Sequence, residues 1–220
     1  MSEPLKIAIA GLGTVGVGVV RVLNENGVQI ARRCGRDITV TAVSARDASR
    51  HRGVDLSSFN WYDDPVDMAR DADVDVFVEL IGGEEGVAKE SCEAAIAAGK
   101  SVVTANKALI AHHGTELALQ AEQGNLALAY EAAVAGGIPI VKSLREGLAG
   151  NQVTGLYGIL NGTCNYILTT MRETGREFDD VLAEAQDLGY VESDPSFDID
   201  GVDAAHKLAI LASLAFGCQV

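Results

Sequence analysis

Five carboxylates and one lysine crowd sixteen residues of the C-terminal third: Glu192, Asp194, Asp198, Asp200, Asp203 and Lys207. Asp203 and Lys207 stand four apart, hence on one face of a helix. A lysine fixed by carboxylates is a positioned proton donor, and its charge offsets the repulsion that an acidic substrate would meet. Two plainer readings compete. One is a surface ion pair, worth roughly a few tenths of a kcal/mol. The other is a calcium loop, since Asp198-Ile199-Asp200-Gly201 imitates part of the D-x-D-x-D-G pattern. Aligning Gly201 with that glycine puts Lys207 where a bidentate glutamate is required, so the calcium reading fails. Spacing alone leaves catalysis and surface pairing level.

A second cluster is built for phosphate. Gly11-Leu12-Gly13-Thr14-Val15-Gly16 directly follows the apolar run Leu5–Ala10 and opens a helical stretch. In a G-x-G-x-x-G loop the first glycine makes the tight turn, the second admits a pyrophosphate and the third lets helix and strand pack closely. Backbone amides and the helix dipole then hold the negative charge. The acid that usually binds a ribose at the end of the second strand is missing, and Ser44-Ala45-Arg46-Asp47 occupies that corner. Arg46 suits a 2′-phosphate and favours NADP, while Asp47 leaves NAD open. The plainer reading of Arg46 is a solvated loop charge.

Two more motifs, Glu79-Leu80-Ile81-Gly82-Gly83 and Thr104-Ala105-Asn106-Lys107, end apolar runs where strands of a doubly wound sheet open into the ligand crevice. Lys107 there is a candidate for contact with the nicotinamide end or the substrate. Against it stands a helix-start lysine in solvent, which the dipole disfavours slightly.

The elements that must carry these residues alternate. Strands are expected at Leu5–Ala10, Ile38–Val43, Val74–Ile81, Ser101–Thr104 and Leu126–Tyr130. Helices are expected from the glycine loop to about Asn24, then over Ala88–Ala98, Asn106–Gln123 and Ile138–Leu148. This order implies a parallel sheet with helices on both faces, an α/β doubly wound domain of Rossmann type spanning residues 1–133. Past Asn151 the pattern changes: one strand at Val153–Leu160, then helices at Thr163–Glu173, Asp179–Asp187 and Gly201–Phe216, the last capped by Asp198 or Asp200. An α+β substrate-binding and dimerisation region over residues 134–220 is the expectation.

Composition bounds the partners. The 220 residues carry 17 basic and 31 acidic side chains, a net charge of −14. That argues against nucleic acid and against anionic membrane surfaces, both of which need a basic footprint. The acid is uneven, with a net charge of −6 over residues 1–150 and −8 over residues 151–220. Cys34, Cys92, Cys164 and Cys218 form no C-x-x-C or Cys/His cluster, so reduced and mostly buried thiols are expected. No leader-like layout and no apolar run of membrane-spanning length is visible, so a cytoplasmic protein follows.

Asn161-Gly162-Thr163-Cys164-Asn165-Tyr166-Ile167-Leu168, followed by the Tyr190–Lys207 stretch, closely resembles the signature of homoserine dehydrogenases. The glycine loop, the Glu79–Gly83 and Thr104–Lys107 motifs and Glu131–Pro139 match that family in the same order. The resemblance implies NAD(P)-dependent interconversion of L-homoserine and L-aspartate 4-semialdehyde. It implies cofactor contacts from Leu12, Thr14, Val15, Arg46, Thr104 and Lys107. Glu192 and Lys207 would hold the substrate, with Tyr190 in the same stretch and Asp198 and Asp203 beside them. Lys207 would be the proton donor, with Lys107 a rival at the same centre. It further implies a monovalent cation, sodium, held by Glu131, Val134, Gly136 and Ile138 largely through carbonyls. A homodimer sharing a sheet through Val153–Leu160 is expected. Family members continue beyond the point where this chain stops, so it is expected to lack their C-terminal portion. The alternatives are a non-catalytic NADP-binding fragment or regulatory module, and another reductase of similar architecture.

Overall fold

The computed structural model describes residues 3–190 and 195–220. They form two units, Met1–Ile140 and Val141–Val220. The first runs β1 (Leu5–Ala10), α1 (Thr14–Cys34), β2 (Ile38–Ser44), β3 (Asn60–Tyr62), α2 (Pro65–Asp71), β4 (Val76–Glu79), α3 (Val87–Ala97), β5 (Ser101–Thr104), α4 (Lys107–Gln123), β6 (Leu128–Ala129) and α5 (Glu131–Val134).

β1 is apolar at consecutive positions, as a strand covered on both faces must be, and Ile7, Ala8, Ile9 and Ala10 are all buried. It sits inside a six-stranded sheet of order β3-β2-β1-β4-β5-β6, parallel at every pairing. This is the doubly wound order, with its switch between β1 and β4. Register brings the strand ends to one level: Ala10 lies beside Ser44 and Glu79, and Glu79 beside Thr104. The glycine loop and the two later motifs therefore leave the sheet along a single edge. Beneath them Phe77, Val20, Val43, Val102, Leu109 and Leu117 fill the core.

The boundaries depart from expectation in instructive places. α1 continues ten residues past Asn24 and stops at Gly35, whose φ of +78° makes a left-handed C-cap behind Arg32 and Arg33. β3 and α2 were not foreseen, although Asp64 caps α2 by accepting from the Val66 amide and Pro65 occupies its first turn. The Ile138–Leu148 helix is instead a short α6 (Ile140–Lys142) that widens into a π-helical turn over Ser143–Gly147.

The second unit contains α7 (Gly162–Thr174), α8 (Phe178–Asp187), α9 (Ser196–Ile199) and α10 (Val202–Phe216). Ile167, Val181 and Ala185 form its small core, flanked by Tyr166, Met171, Phe178 and Leu182. The expected strand at Val153–Leu160 is absent. Residues 152–161 have no regular structure, Tyr157 is 99% exposed and Ile159 74%. Alternating side chains make a strand possible, but a ladder needs a neighbour, and none pairs with this segment among the described residues. The helix cap also differs. Gly201, at φ +78°, takes the N-cap of α10 with no side-chain cap, so neither Asp198 nor Asp200 serves there. The thiols are all free, but Cys34 and Cys218 are exposed rather than buried. No helix among the described residues is long and apolar enough to cross a membrane.

Candidate active site

The glycine loop is shaped by contact. A Cβ on Gly11 would stand 2.4 Å from the Leu80 carbonyl oxygen, and one on Gly16 would stand 1.9 Å from that of Gly11. Both glycines are thus required by the fold. Gly13 is different, because its added Cβ meets nothing within 4 Å and its φ of −78° suits any residue. Nothing within the chain demands glycine there, and the open backbone leaves room for the approach of a ligand phosphate. α1 begins without a side-chain cap and without an acid in its first turn, so its N-terminal dipole faces no negative side chain of its own helix. Gly13, Thr14 and Val15 are exposed at this end, whereas the Leu12 side chain is buried in the core and only its backbone faces the loop.

The corner after β2 holds an arginine that spacing did not single out. Arg52 donates from Nε to the Leu12 carbonyl at 3.3 Å, from Nη2 to the Asp47 carbonyl at 2.5 Å and from Nη1 to the Arg50 carbonyl at 2.8 Å. Its guanidinium lies 5.6 Å from the centre of the Trp61 ring. It pins the 47–52 turn against the glycine loop. Arg46 is exposed in that turn. Asp47 accepts from the amide and hydroxyl of Ser49 at 2.8 and 2.6 Å, and these bonds, the hydroxyl first, hold its carboxyl below the usual range. Its Oδ1 is occupied by the turn.

At the ends of β4 and β5 stands a residue whose role was not foreseen. Glu79 is fully buried. Its Oε1 accepts from the amides of Ile81 and Gly82 at 2.7 and 3.0 Å, and its Oε2 from the Thr104 hydroxyl at 2.5 Å. Thr104 in turn accepts from the Asn106 amide at 2.9 Å. Asn106 caps α4 through Leu109 at 3.1 Å and donates to the Gly83 carbonyl at 2.5 Å. Thr104 is 1% exposed, so its hydroxyl works inside this network. The result joins both loops at the crevice and fixes the first turn of α4, which carries Lys107.

In the second unit Lys207 is half-buried and donates to Asp203 at 2.7 Å and to the Leu160 carbonyl at 2.9 Å. Asp203 is 5% exposed, so the pair is no solvated surface bridge. Asn161, the N-cap of α7, donates to Asp198 and to Asp203, both at 3.0 Å. Thr163 donates to Asp198 at 2.9 Å. Tyr190 is exposed, with its ring edge-on to Tyr166 at 5.2 Å. An ammonium with two protons held by a buried carboxylate and a carbonyl presents its third in a defined direction.

A family model described as the homoserine dehydrogenase NAD binding domain matches residues 11–131, and one described as homoserine dehydrogenase matches residues 139–220. The chain belongs to the homoserine dehydrogenase family. The Pseudomonas aeruginosa homoserine dehydrogenase is 54% identical over 98% of this chain and 49% of its own length. That of Bacillus subtilis is 42% identical over 99% and 50%. Among solved structures, the Thiobacillus denitrificans homoserine dehydrogenase superposes with a TM-score of 0.90 at 49% identity, covering 98% of this chain and 49% of that one. A hyperthermophilic archaeal homoserine dehydrogenase in complex with NADPH gives 0.84 at 29% identity, covering 99% and 71%. The chain spans about half the length of the curated relatives it matches.

Within the homoserine dehydrogenase frame, the remaining expected residues fall as follows. Glu192 lies outside the described residues. Lys107 belongs to the first unit, Lys207, Asp198 and Asp203 to the second. Glu131 starts α5, Val134 is buried at its end, and Gly136 and Ile138 are exposed in the loop beyond. The carbonyls of Glu131 and Ile138 accept from Ala135 at 3.4 Å and Ile140 at 2.8 Å. Carbonyl oxygens are hard donors of the kind that suits a hard cation.

Proposed function

We propose that the protein is an NADP-dependent homoserine dehydrogenase interconverting L-homoserine and L-aspartate 4-semialdehyde. The observation that carries this reading is the Lys207 ammonium, held by buried Asp203 and the Leu160 carbonyl within a family motif.

Bound NADP supplies the hydride chemistry. The chain's own residues bind the cofactor and substrate and move the proton. Amides at the start of α1 and the open face of Gly13 receive the pyrophosphate. Arg46 and Arg52, on the turn after β2, favour a 2′-phosphate, and the engagement of Asp47 with Ser49 speaks for NADP over NAD. As the aldehyde carbon is reduced, negative charge grows on its oxygen. Lys207 stabilises that charge and gives the oxygen a proton from its third N–H; in oxidation it takes the proton back. Asp203 keeps the lysine oriented. Glu192, Tyr190 and Asp198 belong to the substrate site, and Lys107 to the cofactor crevice of the first unit. Glu131, Val134, Gly136 and Ile138 would hold a structural sodium ion, and the largely exposed Val153–Leu160 segment would pair with that of a second copy in a homodimer.

The test mixes the purified protein with NADP and L-homoserine and follows the near-ultraviolet absorbance of the reduced nicotinamide. Turnover with L-homoserine and not with other hydroxy-amino acids is expected. Binding of NADPH with no turnover would favour the cofactor-binding module instead.

A further inference from the structure

Asn161 occupies a position that serine, threonine or aspartate would fill equally well as a helix cap. Its Oδ1 accepts from the Cys164 amide at 2.8 Å, which is all that capping α7 requires. Its Nδ2 does something a serine hydroxyl could not. One N–H goes to Asp198 Oδ1 and the other to Asp203 Oδ2, each at 3.0 Å. Asparagine alone among the good caps joins one such acceptor to two donors.

The Asp203 oxygen it meets is the same Oδ2 that receives Lys207 at 2.7 Å. The residue before it, Leu160, gives Lys207 its other acceptor at 2.9 Å. Two consecutive residues therefore control both anchors of the ammonium, one directly and one through a shared carboxylate oxygen. Asp198 and Asp203 meet the same nitrogen, so their negative charges lie close together. The Nδ2 protons are the groups between them. An aspartate at 161 would add a third carboxylate there and remove both donors.

We propose that Asn161 is a positioning residue that sets where the Lys207 proton donor points, beyond its role as a helix cap. It deepens the dehydrogenase reading and rests on it for the kinetic arm of its test. Asn161→Ser keeps the cap and removes the bridge, while Asn161→Ala removes both. Asn161→Ser should melt within a few degrees of the unmutated protein, and Asn161→Ala lower. In Asn161→Ser, kcat for L-homoserine oxidation should fall about tenfold while KM for NADP stays unchanged, the mark of a donor held at the wrong angle. Independently of turnover, the Lys207 ammonium signal in nitrogen–proton NMR spectra should exchange with water several-fold faster in Asn161→Ser. Unchanged kcat together with unchanged ammonium exchange would overturn the proposal. So would a loss of turnover that merely follows a loss of folding. If the unmutated protein shows no turnover, the dehydrogenase reading fails, and the ammonium exchange decides this proposal alone.

Discussion

Glu79 shows how a single buried charge organises a crevice. It is fully buried, and three donors, the Ile81 and Gly82 amides beyond β4 and the Thr104 hydroxyl at the end of β5, converge on its two oxygens. Glu79→Gln keeps the volume but turns one acceptor into a donor, facing either the Ile81 and Gly82 amides or the Thr104 hydroxyl. An unsatisfied buried group of this kind costs about 1–3 kcal/mol. The variant should unfold at lower urea with an unchanged slope, and a midpoint equal to the unmutated protein would contradict the network. The pair Asp203–Lys207 was legible in sequence because helical spacing brings positions i and i+4 together. Glu79, Arg52 and Asn161 were not legible as partners, since their contacts cross 25 to 42 residues and depend on strand register and helix placement. Only the folded chain brings Asn161 to Asp203.

The glycine loop separates what the fold needs from what the ligand needs. Gly16→Ala would press its Cβ to 1.9 Å from the Gly11 carbonyl, where the rigid partner is backbone. Steric strain of this sort costs roughly 1–3 kcal/mol or more, so this variant should melt distinctly lower. Gly13→Ala meets no atom within 4 Å and should melt like the unmutated protein. It should nonetheless bind NADPH at least about tenfold more weakly, or roughly 1.4 kcal/mol, as followed by nicotinamide fluorescence. Equal affinity in Gly13→Ala would remove the phosphate from this loop. Strands β1, β2 and β5 were visible as apolar runs, and α4, α8 and α10 as helical stretches, although the caps read for α10 were the wrong residues. The 153–160 strand failed for a physical reason: alternation marks faces, whereas a ladder also requires a partner, which sequence pattern does not specify. α1 ran past Asn24 because its stop is the Gly35 cap rather than the weak helix formers before it.

Charge is unevenly divided along the chain. Residues 1–150 carry a net −6 and place arginines around the turn after β2, where an anionic cofactor is expected. Residues 151–220 carry −8 with three basic residues, one of which is Lys207. Part of that acidity is the carboxylate setting of a single lysine rather than a uniformly solvated face. If the two units divide the work, cofactor affinity resides in the first and proton transfer in the second. The decisive comparison is Lys207→Ala beside the unmutated protein, with NADPH affinity and the rate of NADP reduction by L-homoserine measured on the same samples. Affinity should remain within about twofold while the rate falls by roughly a hundredfold or more, the range of positioned acid–base groups. A Lys207→Ala protein that keeps its rate, or that loses NADPH binding along with it, would contradict the assignment of Lys207 as the proton donor.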